Sequence, residues 1–425
     1  MRALFFVPPA ELNARGLPVD RVYGCNYGYD YKPPIHFLQL ATVAKERLGW
    51  DVRFLDAPAE GLATRGLSEV AAQGFDVAVA HSVYLSAEED LRGMRIIREH
   101  NPQLKSVFFG TAPTWKPAEF IDGDQSYCLL GEPETTLGEL NEAWQGKRAL
   151  EAIDGLAWRA NNGVKRGAFR QLLDVSKLPM PDRSMLKGHY RANRLDVHPI
   201  TTMVVSRGCG FRCTFCTPNA IDQMIELEFK RLQPTYVERP PLRKRTVDQI
   251  VAEFEAIAAL GYRGVEVADN IFTWGKARTQ EICGRIEHLN LQWLCLARAN
   301  MLHDPDTIRA MARAGCKMVY MGSESFDDGL LDDMQKDLKV KDVHKAVATC
   351  RANGVEPEVS VLMGASPNES WKTLFNSWRA SRQLGTRFDR TVRYCHERRL
   401  VYAGRLLPGR QSARRDCELT EPFRP

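Results

Sequence analysis

"SRGCGFRCTFC", residues 206–216, sets Cys209, Cys213 and Cys216 in a C-x3-C-x2-C pattern, with Phe215 just before the last thiol. The pattern follows the β-branched and apolar run Thr201-Thr202-Met203-Val204-Val205, so it reads as a loop leaving a buried strand. The other eight of the eleven cysteines stand singly, an arrangement that argues against a disulfide framework and for small buried hydrophobes. A structural zinc ion takes four ligands. His198 precedes the strand and the next cysteine is Cys283, so zinc would need a ligand from a distant part of the chain. Three thiolates suit a [4Fe-4S] cluster that keeps one iron without a protein ligand, a position open to a substrate or cofactor.

Outward from this loop, strand and helix patterns alternate. Strands are predicted at 201–206, 264–268, 293–297, 318–321 and 358–363. Helices are predicted at 247–260, 276–289, 305–314, 340–353 and 370–384, with Gly261, Gly315 and Gly354 near helix ends. Repeated βα units predict a parallel barrel or part of one, where chemistry belongs to the loops at the carboxyl ends of the strands. The cysteine loop is the first of these.

Residues 1 to about 145 carry a second alternation, with strands near 3–7, 52–55, 77–80, 106–109 and 127–130 separated by helical patterns. Five such strands predict a Rossmann-like, flavodoxin-like α/β layer that binds ligands at its carboxyl edge. Ser82 follows the third strand, Gly110 and Thr111 the fourth, Gly131 and Glu132 the fifth. Small residues there admit a ligand close to the backbone, or simply turn the chain. No G-x-G-x-x-G follows the first strand, which argues against a dinucleotide. His81 reads as a capping or packing residue. Residues 146–200 read as a connector, with a hairpin turning at Asn162-Gly163 and a linker stiffened by Pro179 and Pro181.

Composition narrows the class. The 425 residues are 44% hydrophobic and 26% charged with a formal charge of +5, values of an ordinary globular chain of more than one domain. The basic residues are dispersed up to the C-terminal segment, so nucleic acid is not the expected partner, while a basic cleft suits an anionic small molecule. No run reaches the roughly 20 apolar residues of a membrane span. The opening MRALFFVPP reads as a buried strand and not a signal peptide, and a cytoplasmic location is expected.

The cysteine pattern, Phe215 and the strand context resemble the radical S-adenosylmethionine (SAM) superfamily. Further segments match in order over 201 to about 384: Asp269-Asn270 after the second strand resemble the acidic segment near the SAM amino group, and Arg298 a polar position facing the cofactor. Gly322-Ser323-Glu324 are similar to the fourth-strand segment at the ribose and methionine parts, with Lys336 shortly after it, and Gly364 lies in a fifth-strand segment near the adenine. The resemblance implies that Cys209, Cys213 and Cys216 hold the cluster, that Phe215 and these residues serve SAM, and that the fold is a partial (β/α)6 barrel of the TIM type. It also implies a low-potential electron donor of flavodoxin or ferredoxin type.

The front segments "YKPPIHFLQLATVAKERLGWDVRFLDA" (31–57), "FFGTAPTWKPAEF" (108–120) and "LLGEPETTLGEL" (129–140) resemble the subgroup with a cobalamin-binding domain. That resemblance implies cobalamin near Ser82, Gly110, Thr111, Gly131 and Glu132, without the D-x-H-x-x-G histidine, and methyl transfer to an unactivated carbon or phosphorus centre. Ring formation or contraction is the alternative within the subgroup, and a non-catalytic iron-sulfur electron carrier the alternative outside it. Residues 385–425 depart from the pattern. From Thr386 onward there are ten arginines and no lysine, which reads as a basic tail over an anionic substrate or as a shifted reading frame, with a sixth strand expected near Phe388–Tyr394.

Overall fold

The computed structural model describes residues 1–9, 32–84, 86–160, 163–190, 195–216, 221, 224, 225, 228, 231, 242–385, 387, 388, 393 and 394. Its first layer is built on β1 (Arg2–Val7), whose Leu4, Phe5 and Phe6 are fully buried because helices cover both faces. β1 pairs in parallel with β2 (Asp51–Asp56) and β3 (Val77–His81), and β4 (Lys105–Phe109) and β5 (Ser126–Leu129) continue the sheet. The helices between them are α1 (Ile35–Leu48), α2 (Thr64–Ala71), α3 (Ala87–His100) and the short α4 (Thr111–Trp115), with α5 (Pro133–Trp144) after β5. Gly49, at φ 66°, stops α1 in the left-handed conformation that a side chain would disfavour.

The sequence reading treats the hairpin after residue 146 as part of a connector. In the fold β6 (Leu156–Ala160) and β7 (Gly163–Arg166) instead extend the sheet antiparallel, giving the order β2-β1-β3-β4-β5-β6-β7. Leu156 and Ala157 are buried there, and a strand with an apolar inner face finds its partner on the open edge of β5. Asn162 lies outside the described residues.

The second layer runs β8 (Ile200–Met203), β11 (Gly264–Val267), β12 (Gln292–Ala297), β13 (Cys316–Glu324) and β14 (Glu356–Met363), all parallel and neighbouring in that order. The expected first strand is split. β8 ends at Met203, and β9 (Ser206–Arg207) leaves the barrel to pair antiparallel with β10 (Arg243–Lys244). β15 (Arg387–Phe388) and β16 (Arg393–Tyr394) pair in parallel with β14 at Glu358–Val359 and Leu362–Met363, where the sixth strand is expected. The remainder of the Arg-rich segment lies outside the described residues. Helices Val247–Ala259, Lys276–Ile286, Pro305–Arg313, Val340–Ala352 and Trp371–Gln383 pack on the outside, over Val265, Val267, Trp293, Cys295, Val319 and Met321. Among the described residues no helix is long and apolar enough to cross a membrane.

The carboxyl ends of the two sheets meet. Val204 and Ala268, just past β8 and β11, pack against the core of the front layer, and the Thr202 hydroxyl donates to the Pro33 carbonyl at 2.7 Å, directly before α1. A cavity of about 720 Å³ lined by Arg183, His189, Tyr190 and Tyr262 lies at the amino end of β8, away from the candidate residues.

Candidate active site

Each consecutive parallel strand of the second sheet delivers candidate residues at its carboxyl end. Beyond β8 comes the cysteine loop, beyond β11 Asp269, beyond β12 Arg298, at the end of β13 Glu324, and beyond β14 Gly364. The loop is fixed at its root by Asp269, whose carboxylate accepts the Val205 amide at 2.6 Å and the Ser206 hydroxyl. Burial raises this carboxyl to about 6, against the hydrogen bonds from Ser206 and Val205 that favour its charge. Both its oxygens are thus engaged with the protein, while Asn270 donates its side-chain amide to the Gly208 carbonyl at 3.4 Å.

Aromatic packing shapes the middle of the loop. Phe211 stacks on Trp274 with ring centroids 5.5 Å apart, and a Cβ on Gly210 would collide with that indole, so only glycine lets the chain pass. The Arg298 guanidinium lies over the Phe211 ring, 3.5 Å from the centroid. Its Nη1 donates to Cys213 Sγ at 3.6 Å, its Nη2 to the carbonyls of Lys336 and Asp337, and its buried Nε has no hydrogen-bond partner among the described residues. Phe215 packs on Leu330, Met334, Leu362 and Ala365, with Lys336 Nζ 5.3 Å from its ring centroid. The Thr214 amide donates to the Met334 carbonyl at 3.0 Å.

On β13, Glu324 takes the left-handed conformation at φ 63°, a cost of roughly 1–3 kcal/mol for a residue with a side chain. Lys336 Nζ meets its Oε1 at 3.0 Å and the Ser360 hydroxyl donates to its Oε2 at 3.3 Å. A Cβ on Gly322 would run into this carboxylate, which explains the glycine two residues earlier. The Ser323 hydroxyl between them is fully buried and has no partner among the described residues. Gly364, at φ 78°, donates its amide to Glu369 at 2.7 Å.

The donor set fits an iron-sulfur cube with a bound amino acid better than a single ion. Among the described residues no three His, Cys, Asp or Glu side chains converge on a point suited to one metal ion. A cube makes a different demand, because each thiolate meets its own iron. Burial pushes the Cys209 thiol up, with Arg298 and Lys336 pulling the other way, and such cations are what three thiolates and a carboxylate ligand require. Buried Arg298 Nε and Ser323 Oγ are donors that a ligand at the mouth can satisfy.

The front-layer candidates line the opposing rim. Gly110, at φ 114°, passes so close to the Ser82 carbonyl and the His81 ring that a Cβ would collide with the former. The Thr114 hydroxyl donates to the Gly110 carbonyl at 2.7 Å and accepts the Gly131 amide at 2.9 Å, tying the two turns together. Thr111 opens α4 beside them, and the Ser82 hydroxyl is fully buried without a partner among the described residues. Burial holds the His36 imidazole well below its usual range, with Arg207 and His81 acting in the same direction. A glycine-curved rim with an unsatisfied buried hydroxyl fits a large flat cofactor held mainly by backbone. Glu132 differs from its four companions. Its carboxylate is taken by Arg207 at 3.5 Å, Arg243 at 2.6 Å and the Leu173 amide at 2.9 Å.

Arg207, Gly210 and Phe211 are site residues that the sequence reading leaves unassigned, although all three lie inside the 206–216 stretch. A charged side chain at the end of a buried strand, and an aromatic inside a cysteine loop, are the local signals.

Comparison with known proteins gives the chain its relatives. Residues 203–376 match the model of the radical SAM superfamily. An uncharacterized methyltransferase of Pyrococcus horikoshii is 26% identical over 374 residues, covering 86% of this chain and 74% of its own. The anaerobic magnesium-protoporphyrin IX monomethyl ester cyclase of Synechocystis sp. is 23% identical, covering 84% of this chain and 67% of its own. Among solved structures, the radical SAM methyltransferase TsrM of Kitasatospora setae, with cobalamin and a [4Fe-4S] cluster bound, superposes with a TM-score of 0.64 at 19% identity, over 91% of this chain and 70% of that one.

Proposed function

We propose that this chain is a cobalamin-dependent radical SAM methyltransferase acting on an unactivated carbon or phosphorus centre of a small molecule, a reading supported by the match of residues 203–376 to the radical SAM superfamily model. The observation that carries the reading is the trio Cys209, Cys213 and Cys216, with Arg298 hydrogen-bonded to Cys213, at a barrel mouth that faces a glycine-curved rim. When bound, the cluster supplies one electron to SAM and cobalamin carries the methyl group.

The chain's own residues bind, orient and neutralise. Cys209, Cys213 and Cys216 would hold the cluster, which would keep one iron open to SAM. Arg298, anchored by the Lys336 and Asp337 carbonyls, balances thiolate charge and offers Nε to a carboxylate. Glu324, held by Lys336 and Ser360, accepts from a ribose hydroxyl or an ammonium, and its left-handed backbone fixes that direction. Gly322, Ser323 and Gly364 let the nucleoside approach the backbone, and Phe215 closes the apolar side. Asp269 and Asn270 act one step back, setting the loop's root at Val205–Gly208. Ser82, Gly110, Thr111 and Gly131 shape the rim for the corrin. Reduction is expected from a small flavodoxin- or ferredoxin-type donor.

Anaerobic reconstitution with iron, sulfide and hydroxocobalamin tests the proposal. The expected result is about four irons and one cobalamin per chain, with SAM cleaved to 5′-deoxyadenosine under reduction. A cluster that assembles but never cleaves SAM would leave an electron carrier in its place. SAM cleavage without cobalamin uptake would leave a radical SAM enzyme whose front layer is a scaffold.

A further inference from the structure

Two arginines face each other where the cysteine loop begins. β9 and β10 form a ribbon of two residues per strand in which Arg207 pairs directly with Arg243. Like charges opposed across an antiparallel pair repel, in a ribbon otherwise tied by the Arg245 amide to the Val205 carbonyl at 3.1 Å and by Arg243 Nη1 to the Leu173 carbonyl at 3.0 Å. The compensation comes from the other layer. Glu132 Oε2 meets Arg243 at 2.6 Å while its Oε1 lies 3.5 Å from Arg207, and Glu134 Oε1 meets Arg207 at 2.6 Å. Glu132 leads into α5 and Glu134 sits in its first turn, where a helix favours negative charge.

The network is largely shielded from solvent. Only Glu134, at 3% exposed, is fully enclosed; Arg207, Glu132 and Arg243 are 12%, 16% and 18% exposed, and the second oxygen of Glu134 has no partner among the described residues. Burial would raise the Glu132 carboxyl, but Arg207 and Arg243 hold it down. Each charge is therefore tolerated only in the presence of the others. Arg207 is two residues before Cys209, and Glu132 directly follows Gly131 of the opposing rim.

We propose that Arg207 and Arg243, bridged by Glu132 and Glu134, form a positioning latch: the ribbon that carries the cluster loop closes only against the end of β5, so the cluster is held at a fixed separation from whatever the front rim binds. The latch deepens the proposed function, and its cobalamin-based measurement rests on that reading. Its role is to keep two cofactor sites in register.

The test uses the full chain reconstituted with iron, sulfide and hydroxocobalamin, in wild type, Glu134→Gln, Arg207→Lys and Arg207→Gln. After reduction, pulsed EPR reads the dipolar coupling between cob(II)alamin and the reduced cluster. The expected result is one narrow distance distribution in the wild type, a broadened one in Glu134→Gln and Arg207→Gln, and partial narrowing in Arg207→Lys, which keeps the charge but not the two-pronged reach. Hydrogen exchange on the iron-loaded chain, read on peptides spanning 126–140 and 206–216, needs no cobalamin. Exchange in both peptides is expected to quicken about tenfold or more in Glu134→Gln, the near-isosteric change least able to unfold the protein. Unchanged exchange and unchanged distance widths in Glu134→Gln overturn the latch. Should the wild type take up no cobalamin, the proposed function falls and the exchange result alone decides the latch.

Discussion

The barrel mouth and the front rim face each other and are built by opposite means. At the mouth, side chains carry the chemistry: three thiols, a guanidinium on an aromatic ring, a carboxylate in a strained backbone conformation, and buried donors left open. At the rim the backbone does the work, through Gly110 and Gly131 at φ 114° and 71° and the Thr114 hydroxyl that joins their turns. A site of the first kind is sensitive to the identity of a few residues. One of the second kind is sensitive to any added atom.

The contrast is sharpest in Cys213→Ala, which carries the largest expected effect. The mouth should lose its cluster and all SAM cleavage while the front layer keeps its fold, as read by iron content and circular dichroism. Cleavage retained in this variant would mean that the thiols are not cluster ligands. Gly110→Ala is the converse experiment. The new Cβ meets the Ser82 carbonyl at a positive φ, so the front layer should lose roughly 1–3 kcal/mol and its cobalamin uptake, while the barrel still assembles iron and cleaves SAM. Equal damage to both activities would erase the distinction between the two regions.

Gly322→Ala has a smaller and local effect. Its Cβ displaces the flexible end of Glu324, so SAM affinity should weaken about tenfold, measurable by equilibrium binding, with the cluster and melting temperature near wild type. The smallest effect concerns pH. Asp269 is raised from its ordinary 3.8 to about 6, so the folded chain holds that proton more tightly than the unfolded one. Its contribution to stability is therefore unchanged below about pH 4, falls as pH rises towards 6 and is level above that. The iron-free Asp269→Asn variant should flatten this segment of the melting-temperature profile; an identical slope in both proteins would remove Asp269 as its cause.

The same contrast governs what the sequence discloses. Cys209, Cys213 and Cys216 are legible because a metal centre demands one residue type at a close spacing, whereas Arg298 and Glu324 are singled out by the family resemblance of their segments, and the structure sets each at or just past the end of its strand. Asp269 is legible as an acid near the loop, but its engagement with Val205 and Ser206 depends on how β8 ends three residues early and frees the amide. Glu132 reads locally as part of a turn, and its partners Arg207 and Arg243 lie 75 and 111 residues away, chosen by tertiary packing. The hairpin β6–β7 is legible as a hairpin, while its docking on β5 depends on an open sheet edge that no local pattern announces.

The central claim is that three thiolates leave one iron for SAM. EPR of the dithionite-reduced, reconstituted chain, recorded with and without SAM, tests it most directly. A spectrum that shifts on SAM addition, and again with SAM labelled at its amino nitrogen, is the expected result. A cluster signal indifferent to SAM, or one already carrying a fourth protein ligand, would contradict the account.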